Sequence, residues 1–439
     1  MATAPAAPPS GGAYLRLILI SAVIGIPAAL VAALFLAIVT KMQEWLWQDL
    51  PDHLGHASPP WYLVIGLPVV GAAVVAAARL LLPGDGGHQP IKGLSASPTL
   101  LSAGPGVALA AIGTLAFGAV LGPEAPLIAL GSVIGLTVTP FIKVGAQGER
   151  LIGTAGSASA VSAVFGGPLV AGFLLMEVGI GMGAMLIPAL LPALVAAATG
   201  YAVILGLDNW GNISQQGLSI PDLPDYSGAS VKDMLIAIVV GVVAALLMTV
   251  VHRGGLGVAG LQGRRFGLVG LLLAGGLATG LLAQLAGALG ADTQDVLFSG
   301  QNSLTALIDE NSARALLVLL VAKAIAYAVC LGCGFRGGPV FPGIFLGVGL
   351  ASFAVIAFDV SPTLAVAVGV AAGMAAATRL LFAPLLFALL IVGGHGFDAL
   401  PSAVLAASAA WVVMAAIDKR MSPEGTDPPP PPAPAPAAT

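Results

Sequence analysis

The chain has 439 residues, of which 58% are hydrophobic and only 8% charged, and its mean hydropathy is +1.01. Soluble domains carry roughly a quarter charged residues, so this composition excludes a water-soluble enzyme and indicates an integral membrane protein. A balance of 16 Lys+Arg against 20 Asp+Glu, net −4 and without a basic block, excludes a nucleic-acid partner.

Residues 1–13 are rich in Ala, Pro and Gly and lack Lys and Arg, so they are expected to be a disordered lead-in rather than a signal peptide. Apolar segments then fall at 14–40, 61–82, 105–121, 127–142, 151–176, 184–206, 233–252, 267–289, 313–333, 343–358, 362–392 and 399–417. Several are too short, or too broken by Gly and Pro, for a bilayer that needs about 20 apolar residues per span. Broken segments survive at membrane depth only where they are buried or line a cavity. The predicted fold is an all-α polytopic membrane protein of channel or transporter type. Its predicted parts are a first membrane half at 14–206, a non-cytoplasmic connection at 207–232, a second half at 233–421 and a disordered Pro-rich tail at 422–439.

Basic loops at Arg79 and Lys92, at Lys143, Glu149 and Arg150, at Arg253, Arg264 and Arg265, and at Lys419 and Arg420 read as cytoplasmic. Both termini are then cytoplasmic. Cys330 and Cys333 form a C-x-x-C inside an apolar run, and read as small inert helix residues rather than a redox or disulfide pair. The five histidines are scattered. No catalytic constellation, metal site or cofactor is expected.

An internal repeat carries the most information. A shift of 216 residues, which puts Gly122 on Gly338, lays residues 118–131 on 334–347 with seven of the fourteen positions identical. The same shift puts Pro168-Leu169 on Pro384-Leu385. Repeated halves with Gly/Pro-interrupted helices are typical of transporters whose site lies at the repeat interface near the midplane. Gly-Pro before an apolar helix starts it sharply, and its first-turn amides form an anion site. Two such copies, one around Gly122, Pro123 and Ala125 and one around Gly338, Val340 and Phe341, predict a small anionic substrate. Glu124 sits in the first turn of one copy, where its carboxylate either occupies the anion site or simply caps the helix. Arg336 and Arg379 lie in second-half apolar regions, and either raise the positive potential of the pathway or pair structurally.

Leu121-Gly122-Pro123-Glu124-Ala125-Pro126 resembles the G-R-E-G-P motif of the chloride channel/transporter (CLC) family, and Gly337-Gly338-Pro339-Val340-Phe341-Pro342 its G-x-F-x-P segment. Phe165 to Pro168-Leu169 and on to Glu177 resembles the family's helix with an acidic pair. The likeness runs from about Tyr14 to Met421. It is closest to a bacterial branch of ion-transport proteins, through Gln43-Glu-Trp-Leu-Trp47 and Phe335-Arg-Gly-Gly338. The resemblance implies two inverted halves with broken, tilted helices and a homodimer in the bacterial inner membrane with one pathway per subunit. It also implies transport of chloride, or of fluoride or nitrate. Glu124 is then the gate, blocking when charged and swinging aside when protonated.

The chain also departs from the family pattern. The first family motif, G-S-G-I-P, is best matched by Gly86-Gly87-His88-Gln89-Pro90, with Leu94-Ser95-Ala96-Ser97-Pro98 as the rival. In the first alignment Gly86, Gly87 and His88 join the anion-binding set. Pro339 has no N–H to offer an anion, so either that donor is missing or Val340 and Phe341 supply the amides. No tyrosine follows Tyr327 to supply the family's central hydroxyl. The family's proton-relaying glutamate stands ten residues after the proline matched by Pro168, where this chain has Val178; Glu177 matches the structural member of the pair. Together these predict passive or weakly proton-coupled conduction, with an anion/proton antiporter or another small-anion transporter as the alternatives.

Overall fold

Glycine and proline cut the apolar stretches into helices of unequal length. The computed structural model describes residues 11–95, 97–142, 144–179, 186–211, 219–220, 222–228, 230–262 and 267–421. In the first half lie α1 (Gly11–Glu44), α2 (Leu50–His53), α3 (Trp61–Leu81), α4 (Gly104–Leu115), α5 (Glu124–Leu136), α6 (Gly145–Val164), α7 (Pro168–Val178) and α8 (Leu186–Gly211). In the second lie α9 (Val231–Ala259), α10 (Leu268–Ala288), α11 (Thr293–Val296), α12 (Leu304–Asp309), α13 (Ala313–Cys333), α14 (Val340–Phe358), α15 (Pro362–Thr378), α16 (Phe382–Val392) and α17 (Leu400–Met421). Among the described residues, nine helical stretches are long and apolar enough to cross a membrane, while α7 and α15 are shorter. This is the all-helical, broken-helix membrane fold read from the sequence.

The breaks fall where the backbone turns left-handed. The apolar run 151–176 divides at Gly166 (φ 88°) and Gly167 (φ 124°), after which Pro168 opens α7. The run 362–392 divides at Arg379 (φ 64°), whose guanidinium pairs with Asp418 at 3.0 Å. Helix α1 begins at Gly11, inside the stretch expected to be disordered, and a π-turn (Trp45–Asp49) carries it into α2. Residues 1–10, the 422–439 tail, Lys143, Arg264 and Arg265 lie outside the described residues.

The repeat survives in three dimensions. Helices α5 and α14 begin at Glu124 and Val340, positions related by the same shift of 216, and α1, α6, α7 and α8 are followed in order by α9, α15, α16 and α17. The packing repeats too. Helix α1 packs on α6 and α8 as α9 packs on α15 and α17, and α5 on α6 as α14 on α15. In lipid, such pairs approach through small residues. A Cβ on Gly131 or Gly156 would run into the other's carbonyl oxygen, and the same holds for Gly347 against Gly369.

The connection between halves is tied to the second half. Ile220 N–H donates to Ile391 O, Tyr226 N–H to His395 O and Gly228 N–H to Asp398 Oδ2, each at 3.0 Å. His395 stands in a 3-10 turn, Gly393–Ala399, and pairs with Asp225 at 2.5 Å.

Lys323 on α13 is fully buried and donates to Asp295 O and Leu297 O, both at 2.7 Å, with its ammonium 4.3 Å from the Phe345 ring centroid. It fastens the α11 turn to the helix bundle. Lys323→Met should leave the buried Leu297 carbonyl and the half-buried Asp295 carbonyl without this donor and cost about 3 kcal/mol. A thermal melt in detergent checks this, and an unchanged midpoint would show that the turn holds without it.

Candidate functional site

The two Gly-Pro turns meet. Gly122 N–H donates to Gly338 O at 2.8 Å and Gly338 N–H to Gly122 O at 2.6 Å, an antiparallel bridge between repeat-related residues. Each glycine's amide is therefore spent on the other turn. Pro123 and Pro339 are the N-caps of α5 and α14, so both helices start at this bridge.

Glu124 is 1% exposed. Its Oε1 accepts the N–H of Phe341 in the first turn of α14, at 3.0 Å, and its Oε2 is buried without a hydrogen-bond partner. The carboxylate therefore reaches across from the first half to the helix start of the second. It lies directly over both bridging glycines, because a Cβ built on either Gly122 or Gly338 would meet it. Pro339 has no N–H, and the amide of this helix start that meets the Glu124 carboxylate is that of Phe341. Tyr327 of α13 is buried and donates its hydroxyl to Pro339 O at 3.3 Å. Phe341 packs with Phe165 and Phe387 at centroid distances of 5.6 and 6.5 Å, so an aromatic cluster stands beside the site. Ala125 follows Glu124 in α5 and Val340 precedes Phe341 in α14, so both sit in the first turns that face the bridge.

The connection that carries Gly122 is held from several sides. Gln43 donates to Leu115 O at 2.8 Å and the Trp47 indole to Ala116 O at 3.0 Å, which gives the Gln43–Trp47 motif a physical task at the end of α4. Phe298 N–H donates to Gly118 O at 3.2 Å.

Gly86, Gly87 and His88 gather elsewhere, against the connection that carries Gly338. Gly86 abuts Ala110 and the side chains of Arg79 and Arg336, and Gly87 abuts Val107. His88 donates from Nε2 to Gly93 O at 2.7 Å. Burial pushes its imidazole below the usual pKa, and Arg336 and Lys92 push the same way. Arg336 is buried and pairs through its guanidinium with Asp85 at 2.6 Å, and Arg79 also pairs with Asp85 at 2.7 Å. Arg79 further donates to Gly334 O at 2.9 Å. The Asp85 side chain is 51% exposed, so this net-positive trio opens toward solvent. Asp85 was invisible to motif matching, because nothing in its local sequence ties it to arginines at positions 79 and 336. The rival segment packs at a different place. Thr99 N–H donates to Ser132 Oγ at 2.9 Å, and Ser95 lines a small, largely apolar cleft with Ile128, Thr154, Ser157 and Val178.

Glu177 caps another helix. Its carboxylate accepts the N–H groups of Leu381, Phe382 and Ala383, at 2.5, 2.9 and 2.7 Å, at the start of α16. A carboxylate there satisfies orphan amides and opposes the helix dipole. Glu177→Ala should lower the thermal midpoint in detergent by the loss of a cap, about 1–2 kcal/mol, and leave the pH dependence of flux intact. A changed pH dependence would move Glu177 into the transport machinery.

Comparison with known proteins bears on this arrangement. The family described as voltage gated chloride channel matches residues 96–414. The chain is 30% identical over 358 residues to a protein named "Putative ion-transport protein YfeO" from Escherichia coli O1:K1, covering 78% of this chain and 79% of that one. A protein of the same name from Salmonella choleraesuis is 29% identical over 352 residues, covering 78% and 81%. Among solved structures, a slow cyanobacterial Cl⁻/H⁺ antiporter aligns with a TM-score of 0.73 at 16% identity, covering 92% of this chain and 97% of that one. A CLC-type fluoride/proton antiporter aligns with a TM-score of 0.70 at 22% identity, covering 91% and 95%.

Proposed function

This chain belongs to the voltage gated chloride channel family, and we propose that it carries small inorganic anions, chloride foremost, across the membrane along a pathway gated by Glu124. The observation that carries this reading is the buried Glu124 carboxylate on the Phe341 N–H, where the helix starts of two repeated halves meet. Helix N-termini favour negative charge. A carboxylate bound there holds a place that an anion of the same charge can take. Protonation removes the charge, weakens the bond to Phe341 and frees the amide. The Arg79–Asp85–Arg336 trio, net positive and open to solvent, is our reading of the approach to this place, with Gly86, Gly87 and His88 at its rim. The two halves are read as inverted repeats, and each copy in a homodimer has its own pathway. The membrane is read as the bacterial inner membrane, with both termini on the cytoplasmic side.

Transport is proposed to be passive or weakly proton-coupled. Val178 stands at the end of α7, where a relay would need a titrating side chain, and lines a largely apolar cavity. Proton-coupled exchange is the second reading. It is favoured by the buried, unpartnered Oε2 of Glu124, a ready proton acceptor. Fluoride and nitrate are the alternative anions. The test uses purified protein in liposomes with an imposed chloride gradient and external pH recorded. Chloride efflux without stoichiometric proton movement is expected. Protons driven against their own gradient, and lost in Glu124→Gln, would overturn passive transport in favour of exchange.

A further inference from the structure

The turn bearing Gly122 and the turn bearing Gly338 are bonded to each other by more than their glycines. Two residues before Gly338, Arg336 N–H donates to the Thr114 hydroxyl at 3.2 Å. Two residues before Gly122, Val120 N–H donates to the Cys330 sulfur at 3.3 Å. The shift of 216 that superposes the repeats puts Thr114 on Cys330 and Val120 on Arg336. The two bonds are therefore the same bond seen from the two halves. Each half's amide is held by the other half's side chain, near the end of α4 or of α13. With the two glycine bonds of the bridge, these make four repeat-related hydrogen bonds between the halves.

The chemistry of both acceptors fits. The Thr114 hydroxyl gives its proton to Ala110 O at 2.9 Å, leaving its lone pairs for Arg336 N–H. Thr279 gives its hydroxyl proton to Gly275 O at 2.9 Å and lies 3.5 Å from Cys330 Sγ, so the thiol proton points to Thr279 and the sulfur faces Val120. Thr114 and Cys330 are themselves buried, so an amide that loses either acceptor has no water to turn to. The C-x-x-C spacing is thus incidental, and Cys330 matters as the counterpart of a threonine.

We propose that Thr114 and Cys330 are paired positioning residues, a reciprocal clamp that fixes the two turns across the repeat axis and so sets the place of the Phe341 amide and of Glu124. The clamp rests on the proposed function only for what it does to transport. Its mechanical part stands alone.

The test has two arms, with Thr114→Val and Cys330→Ala removing an acceptor and Thr114→Ser and Cys330→Ser keeping one. The first arm is hydrogen–deuterium exchange of the full-length protein in detergent. Cys330→Ala should speed exchange about tenfold in the peptide containing Val120, in the opposite half, and Thr114→Val should do so in the peptide containing Arg336. The serine variants should restore protection. The Arg336 effect should be the smaller, because its side chain is also anchored on Asp85. Deprotection confined to the mutated half, or equal in alanine and serine variants, would overturn the clamp. Either variant alone decides the cross-half prediction should the other fail to fold. The second arm is chloride flux in liposomes. The apparent KM should rise about tenfold with a smaller change in maximal flux, the pH profile should flatten, and serine should rescue both. Wild-type protein without anion flux would count against the proposed function and leave the exchange arm to judge the clamp. Wild-type flux with unaltered KM and pH profile in both variants would remove its part in transport.

Discussion

Glu124→Gln should make anion flux almost independent of pH. In the native site the carboxylate accepts Phe341 N–H and lies over the Gly122–Gly338 bridge, 1% exposed. A charge at this depth costs at least about 2.5 kcal/mol unless it is held, so the helix start of α14 is what keeps it in place. Glutamine has the same shape but no charge, and its amide oxygen makes only a neutral hydrogen bond, roughly half as strong as a charge-assisted one. The variant therefore resembles the protonated protein at every pH. At acidic pH, where native Glu124 is protonated, the two should carry similar flux. At neutral and alkaline pH the variant should exceed the native protein by about tenfold, the factor that corresponds to 1.4 kcal/mol of weakened hold. Liposome flux measured across the pH range checks this. A variant that keeps the native pH response would reduce Glu124 to a cap on α14, with its effect confined to thermal stability.

The repeat was the most legible feature of the sequence, and the two Gly-Pro turns it pairs are bridged in the structure. The start of α14 at Val340 follows from the start of α5 at Glu124 by the repeat shift alone. What the sequence left open was direction. Glu124 reads either as an occupant of the anion site or as a cap on its own helix, and only coordinates show the carboxylate crossing to Phe341 in the other half. The breaks at Gly166–Gly167 and at Arg379 were hidden inside continuous apolar runs, because hydropathy carries no information about φ. Gly86–His88 was matched by motif and found beside Arg336, whose ion pair with Asp85 spans the interval from position 85 to 336. Cys330 looks inert from its apolar sequence surroundings, whereas its sulfur serves as an acceptor for one amide of the other half.

Gly338→Ala should reproduce the loss of pH dependence without touching the titrating group. The backbone at Gly338 does not need a positive φ, so alanine is conformationally allowed there. The obstacle to its methyl group is the Glu124 carboxylate, together with that side chain's own Cβ at 3.0 Å. The carboxylate is the far end of a flexible side chain, while the Gly338 backbone is pinned on Gly122 by two hydrogen bonds of 2.8 and 2.6 Å. The side chain should therefore yield first. It would leave Phe341 N–H and give up the anion place at all pH values. A double-mutant cycle separates this from general damage. If alanine acts by displacing the carboxylate, adding Glu124→Ala to Gly338→Ala should change flux by less than about twofold, because contacting residues that act through one interaction are not additive. If the two effects simply multiply, alanine has distorted the bridge itself. The backbone would then be the part that moves, and the packing of Glu124 over Gly338 would have no bearing on the gate.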